Sequence, residues 1–340
     1  MKRVRMRLLA AVTVVPLAAA AASSLTPLFL PHGQGGIGFD DLVFSSGLNR
    51  VLVPSGRTGL LNLVDPQTHS IESISGFSTE PHFKSGHEAG ITSADFGHGF
   101  IFATDRSRQV VDIVDPAKLQ VLGSAKLGAG PDYVRWVEPT SEVWVTEPSR
   151  KVIEYFKLEG GAAPKLVFAG TIAIPDGPES LVVDATRGRA YTNTRHNLTV
   201  PVDVKKHRDI ARWPNGCAAA RGIALDEARG LLFVGCEEGT LTTLDVQRSG
   251  RLLASLATSG RGVNILAYSP SLAHLYVPGG DSGTMAIVGV KHDGSLQALA
   301  TVVTAPGADC VAADNLGQAY VCAPQEGKLL VFTDTLPAAK

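Results

Sequence analysis

The sequence predicts an all-β fold: a seven-bladed β-propeller with four-stranded antiparallel blades, its ring closed by an N-terminal strand that completes the last blade. Three observations predict it. Seven units of similar length follow one another along the chain. Within each, short runs of alternating apolar and polar residues are separated by Gly-, Pro- and Asp-rich turns, the pattern of β-hairpins. No segment sustains a 3.6-residue apolar period, which argues against helices.

The repeat rests on two independent ladders. A hydrophobic strand after a polar turn carries Leu52, Phe102, Trp144, Tyr191, Phe233, Tyr276 and Tyr320, at spacings of 50, 42, 47, 42, 43 and 44 residues. The end of the following strand falls at Asp65, Asp115, Lys157, Asp203, Asp245, Gly289 and Thr333, at spacings of 50, 42, 46, 42, 44 and 44. The ladders agree within one residue at every step. Periods of this size signal propellers or solenoids. A pair of stacked sandwiches is the alternative architecture, but it has no reason to produce seven near-equal periods.

Taken in order, the fifth unit shows the elements most plainly. "RGIALD" is a first strand, "LLFVGC" a second, "TLTTLDV" an alternating third and "RLLASLA" a fourth, joined by "EARG" and "EEG". Four-stranded units repeated four to eight times pack radially into a propeller. The seventh unit has three strands and stops at "DTLPAAK". Its missing strand is available in "LTPLFLP", Leu25–Pro31, which precedes the first unit. Pairing the two ends would leave no open strand edge to recruit other chains. Length alone suggests two domains; the repeat reduces them to one ring over residues 25–335, with 336–340 as a tail.

Before the ring, Lys2, Arg3, Arg5 and Arg7 precede an apolar run from Leu8 to Ala22 that ends in small residues. This is the layout of a secretory signal peptide, residues 1–22. The run is short of the roughly 20 residues that span a bilayer, although retention as an anchor is the alternative. Cleavage lowers Lys and Arg from 31 to 27 against 32 acidic residues, a mature net charge of −5. No basic block remains, so nucleic acid is not an expected partner. With the leader removed, no membrane span is expected. The mature protein is expected to be periplasmic or secreted and monomeric.

The second-strand motif, the "VDP" that follows it in the first two units and the hydrophobic fourth strand resemble the YVTN repeat family of periplasmic and surface propellers, including YncE-like proteins. "YTNT" at Tyr191–Thr194 is nearest to the name-giving tetrapeptide; "VTEP" at Val145–Pro148 and "VLVPS" at Val51–Ser55 are looser. The resemblance covers about residues 25 to 335. It implies architecture more than activity, since one fold hosts many functions.

In a propeller, equivalent first-strand positions ring one mouth of the central channel. Counting back from the second-strand marker gives Asp40, Gly90, Tyr133, Glu179, Arg221, Asn264 and Asp309. Three carboxylates with an arginine and an asparagine suit a cationic or polyhydroxylated ligand, a divalent ion such as calcium, or simply water. The loop "EPHFKSGHE" adds His82, His87 and Glu88, groups able to act in acid–base chemistry or as metal ligands, or to form an ordinary solvated loop. No haem-attachment motif, nucleophile elbow, phosphate loop or zinc-protease motif is present, and no cofactor is evident.

The four cysteines fall in the last three units. A hairpin about "DNLGQ" places residues whose numbers sum to 632 opposite each other, which pairs Cys310 with Cys322. Cys217 and Cys236 lie toward one face of the fifth unit. Two intra-blade disulfides fit an oxidising compartment; buried free thiols are the alternative. Three functional readings follow: a binding or scaffold module working through channel mouth and loops; a propeller enzyme, of lactonase or oxidoreductase-subunit type, using Asp40, Glu179, Arg221 and Asp309 with or without a metal; or a structural envelope component.

Overall fold

Seven repeats become seven separate sheets. The computed structural model describes residues 25–339, apart from 85, 162 and 259; the expected leader, 1–22, lies outside the described residues. In blade 5 the chain forms Ala220–Asp226, Leu231–Cys236, Thr240–Asp245 and Arg251–Ala257, each antiparallel to the next. Blades 1, 2, 3 and 6 repeat this order. No described helix is long and apolar enough to cross a membrane.

The ring closes as the chain ends predict. Blade 7 consists of Val311–Ala313, Gln318–Ala323 and Lys328–Thr333, and its outer strand is Leu25–Phe29, in register from Leu25 opposite Phe332 to Phe29 opposite Lys328. Residues beyond this strand are not loose. Asp334 accepts hydrogen bonds from His274 Nδ1 and Tyr276 Oη, both at 2.8 Å, and the Ala339 amide donates to Leu272 at 3.0 Å.

Blade 4 departs from regularity. Its fourth strand is split into Arg208–Asp209 and Trp213–Pro214, both paired with Leu198–Asp203. Pro214 has no amide to donate and sits at the outer edge, where a ladder tolerates it. Trp213 instead packs beneath the bend at Gly250, where a Cβ would stand 2.1 Å from the indole.

Packing between blades explains why the marker positions are large. All seven, Leu52 through Tyr320, are at most 1% exposed. The cores they enter are seams between neighbouring blades: Leu52, Leu61 and Ile74 of blade 1 meet Ile91, Ile101 and Val114 of blade 2, and the same pattern joins blades 5 and 6 and blades 6 and 7. Burying each such side chain contributes about 1.5–3 kcal/mol. Three markers are tyrosines because a buried acid waits for the hydroxyl: Tyr191 donates to Asp184, Tyr320 to Asp314 and Tyr276 to Asp334. A buried phenol without such a partner would be costly.

Both cysteine pairs form intra-blade disulfides, Cys217–Cys236 and Cys310–Cys322. In blade 7 the pairing of Val311 with Val321 sets the register, and the Cys322 amide donates to the Cys310 carbonyl. Two disulfides are consistent with an oxidising environment.

Candidate functional site

Where the first strands begin, the ring leaves a cavity of about 850 Å³. Every blade contributes to its wall. Asp40, Tyr133, Glu179, Arg221, Asn264 and Asp309 all line it, together with His87 and Glu88. The seventh ring position, Gly90, does not, and its surroundings say why. A Cβ there would stand 2.1 Å from the Gly56 carbonyl oxygen, and its φ is +76°, a backbone conformation that favours glycine. Blade 1 and the loop before blade 2 are clamped together at this point: Gly56 donates to Ile91, Arg106 donates to the Gly90 carbonyl, and Gly38 abuts Gly86.

That clamp divides the histidine loop. His87 enters the mouth, whereas His82 lines a separate hollow of about 250 Å³ with Arg57, Glu80, Phe83 and Lys84; Glu88 borders both. His82 and His87 therefore do not act together.

Further mouth residues escaped the sequence reading: Arg106, Asp132, Arg195, Glu237 and Asp281. Three of them carry a signal in the same ladder. Four residues after the second-strand marker come Arg106 in blade 2, Arg195 in blade 4 and Glu237 in blade 5, a second ring one step outside the first. Asp132 simply precedes Tyr133.

The mouth is electrostatically lopsided. At blades 4 and 5 the charges satisfy one another. Arg195 and Arg221 donate to the two oxygens of Glu179 at 2.7 and 2.6 Å, and Arg221 also donates to Glu237 at 2.9 and 2.6 Å. Burial would lower the Arg221 pKa, but Glu237 and Glu179 more than offset it and raise it.

At blades 1 to 3 the carboxylates are less well matched. Asp40 is 2% exposed, and its Oδ2 has no hydrogen-bond partner among the described residues. The nearest cationic candidate, His87 Nε2, is 3.8 Å away. Burial pushes the Asp40 pKa up to about 8, against the pull of Arg106 and with a further push from Asp41, Asp309 and Glu88. Burial and then Asp40 push Asp132 up to about 7, although Arg106 donates to its Oδ1 at 2.7 Å. Burial raises Asp309, at blade 7, to about 6. Among the described residues, Asp40, His87 and Asp132 each offer a ligand atom within 4.8 Å of the other two.

No protein-family model and no curated protein sequence matches the chain. Solved structures do. A chain of a mitotic checkpoint complex structure superposes with a TM-score of 0.75 at 15% identity, over 98% of this chain and 99% of that one. A chain of the Kuenenia stuttgartiensis hydrazine synthase superposes with a TM-score of 0.69 at 12% identity, over 95% and 99%. This chain is a seven-bladed β-propeller. At such identities the likeness establishes the fold alone.

Proposed function

We propose that this propeller is an exported binding module of the YVTN/YncE-like kind that takes a cationic small molecule at its channel mouth. The family reading rests on the "YTNT" motif of the fourth unit and the "VDP" of the first two, and the export reading on the basic-then-apolar leader with the two disulfides. Function in propellers tends to lie in the loops and mouths that a rigid ring presents.

The carrying observation is the composition of the mouth. Seven carboxylates, Asp40, Glu88, Asp132, Glu179, Glu237, Asp281 and Asp309, face three guanidinium groups, Arg106, Arg195 and Arg221. A cavity of about 850 Å³ is of the size that encloses a small ligand, and an excess of carboxylate focuses potential that attracts cations. Asn264 and Asp309, at blades 6 and 7, offer hydrogen bonds to hydroxyl or ammonium groups. The two structural neighbours, one from a multi-protein assembly and one from an enzyme, do not distinguish binding from catalysis.

The test is a thermal-shift series on the leader-free protein with spermidine, glucosamine and gluconate as probes. Spermidine or glucosamine should raise the melting temperature, gluconate should not, and the combined variant Asn264→Ala, Asp309→Asn should lose the shift while melting as the parent does without ligand. Equal response to the anion, or no response to either amine, would overturn the cationic reading.

A further inference from the structure

We propose that Asp40, His87 and Asp132 form a binding site for a divalent transition-metal ion, of the Zn²⁺ or Co²⁺ class, on the blade 1–3 side of the mouth. The proposal deepens, and rests on, the reading of the mouth as the binding end of the channel. Metal uptake is measured without any organic ligand, so the two can fail separately.

Two independent observations carry it. The first is convergence: three ligand-bearing side chains from three different parts of the ring bring their ligand atoms within 4.8 Å of one another. Ligand atoms around a tetrahedral ion with bonds of about 2.0–2.2 Å lie roughly 3.4 Å apart, so side-chain rotations that draw these atoms closer by about an ångström bring all three into one coordination sphere. The second is the orphaned oxygen. Asp40 Oδ2 is buried, unpartnered and directed at His87 Nε2. A buried carboxylate oxygen with no partner is costly, and a cation supplies what it lacks.

The surroundings fit the same ion. Arg106 holds Oδ1 of Asp132 at 2.7 Å while its Nε donates to the Pro131 carbonyl at 2.9 Å, which orients the carboxylate and leaves its second oxygen for the metal. Such outer contacts fix first ligands in place. Metal binding displaces the protons of its carboxylate ligands, so Asp40 and Asp132 supply the two negative charges that complement a dication, while Glu88 pairs with Arg106 at 3.7 Å. The loop that carries His87 is held close to blade 1 on both sides of it, since Gly38 meets Gly86 and Gly90 meets Gly56 at distances that exclude even a Cβ. An imidazole among the ligands favours Zn²⁺ or Co²⁺ over Ca²⁺, which prefers oxygen donors throughout. Three protein ligands leave at least one position open to solvent or to a ligand in the cavity.

The experiment uses the leader-free protein, stripped with chelator and dialysed. Equilibrium dialysis against Zn²⁺, Co²⁺ and Ca²⁺ should give one equivalent of Zn²⁺ or Co²⁺ per chain, with Ca²⁺ bound at least tenfold more weakly. Bound Co²⁺ should show a visible absorption band distinct from the aqueous ion. Asp40→Asn and His87→Ala should each weaken uptake at least 100-fold, whereas His292→Gln, at an exposed histidine in a blade 6 turn, should match the parent. Less than one equivalent on the parent overturns the proposal without reference to any variant. So does uptake unchanged by His87→Ala, or Ca²⁺ bound as tightly as Zn²⁺. Should Asp40→Asn fail to fold, the parent stoichiometry, the Co²⁺ spectrum and the His87 variant still decide.

Discussion

Arg135 grips Asp41 with both ends of its guanidinium, Nη1 to Oδ2 at 2.6 Å and Nη2 to Oδ1 at 3.0 Å, across 94 residues of sequence. Ser93 donates to the same carboxylate at 2.6 Å and accepts from the Val134 amide at 3.0 Å. The start of blade 1 and the first strands of blades 2 and 3 are thereby pinned together around the axis. Asp40, the preceding residue and equally buried, receives none of this. One of two adjacent aspartates is built into the scaffold and the other is left with an unpartnered oxygen toward the mouth.

Removing the guanidinium should therefore destabilise the ring. Arg135→Met keeps an aliphatic stem but removes the guanidinium, whose carbon lies 5.4 Å from the centre of the Tyr133 ring, and it strands the Asp41 carboxylate with Ser93 as its remaining side-chain donor. Breaking one side of a buried pair costs about 3–5 kcal/mol. Urea unfolding should show a midpoint shift of that size, and Arg135→Met, Asp41→Leu together should recover part of it. A single-variant loss below about 1 kcal/mol, the range of exposed pairs, would show that the pair is not a structural pin.

The disulfides should be structural. All four cysteines are at most 3% exposed, and the bridges span 19 and 12 residues. Cross-links of this span contribute about 2–4 kcal/mol, chiefly by restricting the unfolded chain. Replacing either pair with alanines should lower unfolding free energy by that amount. Thiol alkylation of oxidised protein should label no cysteine in denaturant alone and all four after reduction. Labelling without reductant would argue for the free-thiol alternative.

The period was legible because it is a local property. A large residue must fill each inter-blade seam, so Leu52 through Tyr320 recur at nearly constant intervals and all are buried. The mouth positions followed by counting from them. What stayed hidden depends on contacts between distant residues. In "KKHRDIARWP" Pro214 marks an edge strand, but the split of the blade 4 outer strand is not readable there, because the packing of Trp213 against Gly250 is a contact between residues distant in sequence. Nothing near "FDD" tells Asp40 from Asp41, because Arg135, 94 residues on, selects between them. Glu179 and Arg221 looked like free mouth charges in sequence; in space they neutralise each other.

Closure should be what keeps the ring soluble. Leu25–Phe29 covers the edge of Lys328–Thr333 over five paired positions, and Pro27 within it blunts the new outer edge. Deleting residues 25–29 should expose that edge and produce dimers or larger species by size-exclusion chromatography with light scattering. A monomeric deletion variant with unchanged melting would show that the N-terminal strand is dispensable.

Acid should weaken the turns that follow the third strands. At the end of the third strand in blades 1, 2 and 4, an aspartate carboxylate accepts two backbone amides: Asp65 from Gln67 and Thr68, Asp115 from Ala117 and Lys118, and Asp203 from Lys205 and Lys206. Their pKa values lie below the ordinary 3.8. The Thr68 and Gln67 amides cause it at Asp65 and Lys118 at Asp115; at Asp203 burial, the largest single influence, pushes upward and is outweighed by the Lys206 and Lys205 amides and the charges of Arg189 and Lys206 together. A carboxylate whose folded pKa is depressed favours folding fully above its unfolded pKa, and that contribution disappears as pH falls through the folded value. The window thus lies below 3.8. An Asn at these positions still accepts through its amide oxygen but does not titrate. Melting temperatures of the parent and of the triple variant Asp65→Asn, Asp115→Asn, Asp203→Asn should differ most above about pH 5 and converge toward about pH 2, where the parent's carboxylates are protonated as well. A gap that is constant with pH would mean that these turns are held by their shape rather than by the charge on the aspartates.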